Sequence, residues 1–113
     1  MSNPRIISGT ARGMRLDAVP GDITRPITDR VKEALFNIIG ADIENSSFLD
    51  LFGGTGSVGI EALSRGGLFT QFIEISPVAV NIIKKNPNKT HLASKSDVLC
   101  MDAMRYIRSP SEK

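Results

Sequence analysis

The sequence predicts an α/β domain built on a short parallel sheet of three strands, with a β-hairpin in front of it. Three observations carry this expectation. β-prone runs at 47–52, 68–75 and 96–101 alternate with helical patterns, and that alternation gives parallel strands joined by right-handed crossovers. A glycine loop, Gly54-Thr55-Gly56-Ser57-Val58-Gly59, follows the first of these runs and opens a helix. The chain has 113 residues, 41% of them hydrophobic and 23% charged, which suits one globular domain and excludes a disordered polar chain.

Residues 5–19, "RIISGTARGMRLDAV", hold short β-prone pieces broken by Gly9 and Gly13 and read as a glycine-turned hairpin. "PGDITRPIT" (20–28) is a loop with two prolines. Val31, Ala34, Leu35, Ile38 and Ile39 then recur at helical spacing and predict an apolar face turned inward. Thr28 serves as N-cap and Gly40 as the stop. The second helix runs from about Gly56 to Arg65, ended by Gly66. Ser76-Pro77 opens a third with Val78, Ala79, Ile82 and Ile83 inward, Lys84 and Lys85 near its end and Pro87 beyond it. Residues 86–96 are the most polar connector, and Asp102 caps a last helix carrying Ala103, Met104 and Ile107.

Composition narrows the function classes. A net charge of +2 is too small to argue for nucleic acid by itself, although Arg5, Arg12 and Arg15 all precede the first acid, Asp17. No apolar run approaches the roughly 18–20 residues that span a bilayer. "MSNPRIISG" carries no signal or transit pattern. The single cysteine, Cys100, suits a reducing cytoplasm, and one histidine without a Cys/His cluster argues against zinc.

The loop matches G-x-G-x-x-G in the context that gives the motif meaning. It follows a strand and opens a helix, and Glu74 lies 18 residues past Gly56, at the end of the next strand. An acid there can accept from both hydroxyls of a ribose. NAD and S-adenosylmethionine (SAM) both fit such a loop, and Asp50 discriminates between them. NAD would bring a diphosphate toward that carboxylate; at about 4 Å and an effective dielectric near 20, like charges cost roughly 4 kcal/mol. SAM instead brings an ammonium and a sulfonium. Asp50 can also be read as a cap for loop amides. Asp102, at the end of the third strand, reads equally as an acceptor for an adenine amine and as a helix N-cap.

"TRPITDRVKEALFN", "FLDLFGGTGSVGIEALSRG", "FIEIS" and "MDAMRYI", in this order, resemble the bacterial RsmD-like 16S rRNA guanine-N2 methyltransferases, from "RIISG" to about Ile107. The resemblance implies a Rossmann-like SAM-dependent methyltransferase fold of which the first three strands are present. It implies that residues 1–27 are an RNA-contacting hairpin and Thr-Arg-Pro loop, and that 28–113 are a partial SAM-binding domain. Asp50, Gly54 and Gly56 would hold the methionyl end of SAM, with Phe52 and Gly53 in the same loop. Glu74, with Ile75 beside it, would take the ribose, and Asp102 and Ala103 would lie near the adenine. Arg5, Arg12, Arg15 and Arg25 would contact phosphates of small-subunit rRNA, whether free or within an assembled particle; as residues alone they read equally as a solvated basic surface.

The family's Asp/Asn-Pro-Pro-Tyr/Phe motif, which would receive the target amine and stack the flipped base, has no counterpart here. The expectation is therefore a truncated or degenerate chain that binds SAM and lacks the acceptor pocket, with an open edge on its first strand. An NAD-binding oxidoreductase fragment, a non-catalytic RNA- or protein-binding remnant, and an amino methyltransferase of DNA bases stay open on the residues alone.

Overall fold

Three strands, β1 (Ser47–Asp50), β2 (Phe69–Glu74) and β3 (Ser96–Cys100), form one parallel sheet in the order β1-β2-β3. The computed structural model describes residues 4–19, 27–51 and 54–108. Four helices accompany the sheet: α1 (Asp29–Ile39), α2 (Ser57–Ser64), α3 (Pro77–Lys89) and α4 (Ala103–Arg108). Single 3-10 turns span Gly40–Ile43 and Ala93–Lys95. The α/β class, the parallel order and the alternation match the sequence expectation. The first strand is shorter than expected, because the chain bends at Leu51 after Asp50, and the expected Phe52 lies outside the described residues.

Because the strand order runs in one direction, right-handed crossovers place α2 and α3 on the same face of the sheet. Ile60 of α2, Ile83 of α3, Phe72 of β2 and the half-buried Val98 of β3 accordingly share one core. Gly59 is there because α2 presses on the sheet: a Cβ would lie 2.4 Å from Phe72 Cε1. The opposite face is thinly covered, leaving Leu49, Phe69 and Leu99 exposed. Parallel sheets ordinarily bury both faces. β1 is an edge strand, as expected.

The N-terminal segment adds a layer to the covered face. One antiparallel bridge, Arg5 to Arg15, joins its two legs, and the Gly13 amide adds a further bond to the Ile6 carbonyl at 2.8 Å, which closes the expected hairpin. Ile6, Ala11 and Leu16 complete the main core. Its polar backbone is met by a stripe on α2, Ser57, Glu61 and Ser64, spaced to share one helical face. All three are buried. Ser64 Oγ accepts from the Ala11 amide at 2.9 Å and donates to the Ser8 carbonyl at 2.7 Å. Glu61 accepts from the amides of Ile7 (2.9 Å) and Ser8 (3.0 Å). Lys32 of α1 reaches Glu61 at 3.3 Å, and its Nζ donates to Ser57 Oγ (2.8 Å) and the Arg5 carbonyl (2.6 Å). Arg65 closes the cluster at 2.8 Å from Glu61.

This cluster corrects the expected face of α1. Lys32 and Phe36 are buried and Leu35 and Ile39 half-buried, whereas Val31 is 55% and Ile38 84% exposed, and Ala34 is also exposed. Burial of the Lys32 ammonium against Glu61 turns the helix away from its apolar pattern. Phe36 then stacks on Phe48, ring centroids 6.2 Å apart, under the Arg65 guanidinium. In α3 the buried set is Ala79, Val80, Ile82, Ile83, Asn86 and Pro87, with Val78 exposed in place of the expected inward position. Pro87 lies inside that helix, not beyond it. Thr90 holds the last turn, its Oγ1 donating to the carbonyls of Asn86 and Pro87, both at 3.1 Å. The expected caps hold: Thr28 accepts from the Val31 amide, Ser76 from Ala79, and Gly40 stops α1 with its amide on the Phe36 carbonyl.

Two predictions follow from the buried cluster. Glu61→Leu leaves Lys32 uncompensated and two amides without an acceptor, and should cost about 3–5 kcal/mol, the range for removing one member of a buried pair, in urea unfolding of the 113-residue chain. Burial lowers the Lys32 pKa below its usual 10.5, with the Glu61 carboxylate opposing that shift. The unfolded chain thus holds this proton to higher pH than the folded one. Between the folded pKa and 10.5, stability gains a positive slope from Lys32, and none below that window, where both states are protonated. The urea midpoint difference between the wild type and Lys32→Met should move in the wild type's favour as pH rises toward 10.5; a constant difference would contradict the burial.

Candidate functional site

In open α/β sheets the crevice outside the carboxyl ends of the strands is where ligands bind, and three acids stand there on neighbouring strands. Asp50 is the last residue of β1, Glu74 the last of β2, and Asp102 follows β3. Asp50 pairs in register with Phe72, and Glu74 with Cys100. The pleat therefore puts Asp50 and Glu74 on the Phe72 face of the sheet, the face that carries α2. Asp50 is half-buried, and its Oδ2 is shielded from solvent.

The glycine loop is fixed by side chains from three elements. Gly54 and Gly56 take φ of 55° and 84°, backbone that a side chain would disfavour. The Gly54 amide donates to Glu74 Oε1 at 2.9 Å. The Thr55 carbonyl accepts from Asn86 Nδ2 of α3 at 2.7 Å, and Ser57 Oγ from Lys32. Glu74 Oε2 also accepts from the Ser76 amide at 2.9 Å. A carboxylate has about four acceptor positions, so these two bonds leave capacity toward the crevice.

The remaining expected residues fall as follows. Ile75 is exposed just past Glu74, and its carbonyl faces Cys100 Sγ at 3.6 Å. Asp102 is exposed and caps α4, its Oδ2 accepting from the Arg105 amide at 3.0 Å. Ala103 is the half-buried first residue of that helix. Phe52, Gly53 and Arg25 lie outside the described residues. The hairpin runs lengthwise along α2, with Arg5 and Arg15 opposite one another at its Ser57 end. Arg12 lies in the turn at the Ser64 end, about 10 Å away at 1.5 Å per helical residue. Arg5 is paired with Asp29 at 2.7 Å, while Arg12 and Arg15 are exposed.

Sequence reasoning missed Lys32 and Asn86, which reach the glycine loop from below, and Glu61 and Ser64, which hold the hairpin beside it. The spacing Ser57, Glu61, Ser64 was visible, but a polar stripe on a helix reads by default as its solvent side. Among the described residues no His/Cys/Asp/Glu group could hold a metal ion, and no helix is long and apolar enough to cross a membrane.

Comparison with known proteins places this geometry. The family model described as Conserved hypothetical protein 95 matches residues 4–113. Ribosomal RNA small subunit methyltransferase D of Haemophilus influenzae is 36% identical over 110 residues, 96% of this chain and 57% of that protein. The solved structure of yhhF from Escherichia coli gives a TM-score of 0.83 at 36% identity, over 95% of this chain and 57% of that one. An RNA methyltransferase from Salinibacter ruber, crystallised with S-adenosyl-L-homocysteine, gives 0.64 at 25% identity, over 71% of this chain and 52% of that one. The chain thus spans little more than half the length of these relatives, and its fold is Rossmann-like. With the family model matching residues 4–113 and the Haemophilus influenzae protein 36% identical over 96% of this chain, the chain belongs to the Conserved hypothetical protein 95 family, that of ribosomal RNA small subunit methyltransferase D.

Proposed function

We propose that this chain is the cofactor-binding part of a SAM-dependent methyltransferase acting on small-subunit rRNA, and that the acceptor is the N2 amine of a guanine. The observation that carries the cofactor reading is the row of acids, Asp50, Glu74 and Asp102, at the ends of adjacent parallel strands around the Gly54–Gly56 turn. A dinucleotide would bring two phosphates into a crevice of carboxylates, a repulsive arrangement. A ligand with a cationic methionyl end, a ribose and an adenine finds a fitting partner at each strand end. The rRNA substrate is supported by the named relative from Haemophilus influenzae, and the guanine N2 position by the family resemblance.

SAM supplies an electrophilic methyl group on sulfur, and direct transfer to an amine needs alignment more than a protein nucleophile. In this reading the chain's own part is to orient. Asp50 and the loop amides fix the methionyl end, Glu74 takes the ribose hydroxyls, and Asp102 faces the adenine edge. Residues 1–27 would form an RNA-contacting unit in which Arg12, Arg15 and Arg25 meet phosphates, joined by Arg5 once it leaves Asp29. No Asp/Asn-Pro-Pro-aromatic sequence occurs in these 113 residues, so the groups that would receive the guanine amine are assigned to the remaining length of the longer relatives.

The test is calorimetric titration of the chain with S-adenosylhomocysteine and with NADH. The expected result is binding of the first and none of the second, with Asp50→Ala weakening it about tenfold or more, as for loss of a hydrogen bond to a charged group. Tighter binding of NADH, or an Asp50→Ala variant that binds as the wild type does, would overturn the assignment. Glu74→Ala is a poorer probe, because Glu74 also holds the Gly54 amide.

A further inference from the structure

Asn86 lies wholly buried in α3, directly against the glycine loop, and all of its side-chain polar groups go to two segments. Its Oδ1 accepts from the Asp17 amide at 2.7 Å. Its Nδ2 donates to the Asp17 carbonyl at 3.0 Å and to the Thr55 carbonyl at 2.7 Å. One side chain thus bolts the second leg of the N-terminal hairpin to the glycine loop. Lys32 does the same for the first leg, joining the Arg5 carbonyl to Ser57 Oγ at the start of α2. Of the three side chains that fix the loop, only Glu74 is free of the hairpin. The legs are tied to each other at Arg5 and Arg15, so both bolts are attached to one closed element.

We propose that Asn86, assisted by Lys32, is a positioning residue that couples the N-terminal hairpin to the cofactor loop, so that occupation of the loop is felt in the hairpin and the docked hairpin preorganises the loop. The coupling rests on the reading that the Gly54–Gly56 turn holds the cofactor. Its physical basis is short. A loop with two left-handed glycines has many alternative conformations, and every carbonyl or hydroxyl held beforehand reduces the ordering that binding must impose. By thermodynamic reciprocity, whatever grips the hairpin strengthens cofactor binding by the same factor as the cofactor strengthens that grip. The arginine-bearing element and the cofactor loop would then act as one unit, with no side chain of the hairpin touching the cofactor.

The experiment is a nuclear magnetic resonance titration of the full 15N-labelled chain with S-adenosylhomocysteine. In the wild type, the Asp17 amide and the Asn86 side-chain amide should shift along the same saturation curve as the Gly54 and Gly56 amides. In Asn86→Leu, which keeps the branched four-heavy-atom skeleton at somewhat greater bulk and removes the bonds, the Asp17 response should vanish and affinity fall by about five- to tenfold. Ser57→Ala, a mild change that removes only the Lys32 link, should weaken affinity a few-fold and quench the response at Arg5 and Ile6; it serves if Asn86→Leu does not fold. Loop amides that shift while Asp17, Arg5 and Ile6 stay still in the wild type would overturn the coupling and leave the cofactor reading intact. A wild type in which no resonance responds would overturn both.

Discussion

Everything above the sheet hangs on one carboxylate. Glu61 is fully buried, and each of its oxygens is met by a hairpin amide and a cation: Ile7 and Lys32 on one, Ser8 and Arg65 on the other. Taking a carboxylate and an ammonium out of water costs several kcal/mol per ion unless the remaining acceptor positions are filled, and here four donors fill them. The hydrogen-bonding needs of an irregular hairpin and of a buried charge are thereby met by each other. Without Glu61 the Ile7 and Ser8 amides and the Lys32 ammonium would be left beneath the hairpin without their acceptor. With it, the segment becomes a packed layer that also closes the core over Ile60 and Leu63.

That constraint propagates toward the site. Lys32 is placed by Glu61, and from there it reaches Ser57 at the start of α2, while Phe36 one turn later takes its place between Phe48 and Arg65. The glycine loop enters α2 from β1 across this support, with Glu74 holding its first amide. The arrangement gives a rigid floor beneath a crevice of acids. The other face of the sheet is a different environment: Leu49, Phe69 and Leu99 lie open there. The relatives are longer chains, of which this one covers little more than half.

The strands, the caps and the glycine loop were legible because each rests on local chemistry. Period-two runs, a threonine or serine before a helix, and glycines at positive φ act over a few residues. The strand-end acids were legible for the same reason, since topology alone brings Asp50, Glu74 and Asp102 to adjacent ends. What could not be read was pairing across 25 to 70 residues: Lys32 with Ser57, Glu61 with Ile7, Asn86 with Asp17. The α1 face went wrong on this account, since an apolar periodicity outvotes a lysine unless the buried acid awaiting it is known. Pro87 misled in a similar way, because a proline reads as a helix boundary until Thr90 is seen securing the turn around it.

The account stands on the hairpin being an integral layer held by Glu61, and native-state hydrogen exchange at the Ile7 and Ser8 amides measures that most directly. If the account is right, both exchange only when the whole chain unfolds, with the protection of central amides such as that of Phe72. Exchange of Ile7 and Ser8 at the rate of an open loop, while Phe72 stays protected, would contradict it.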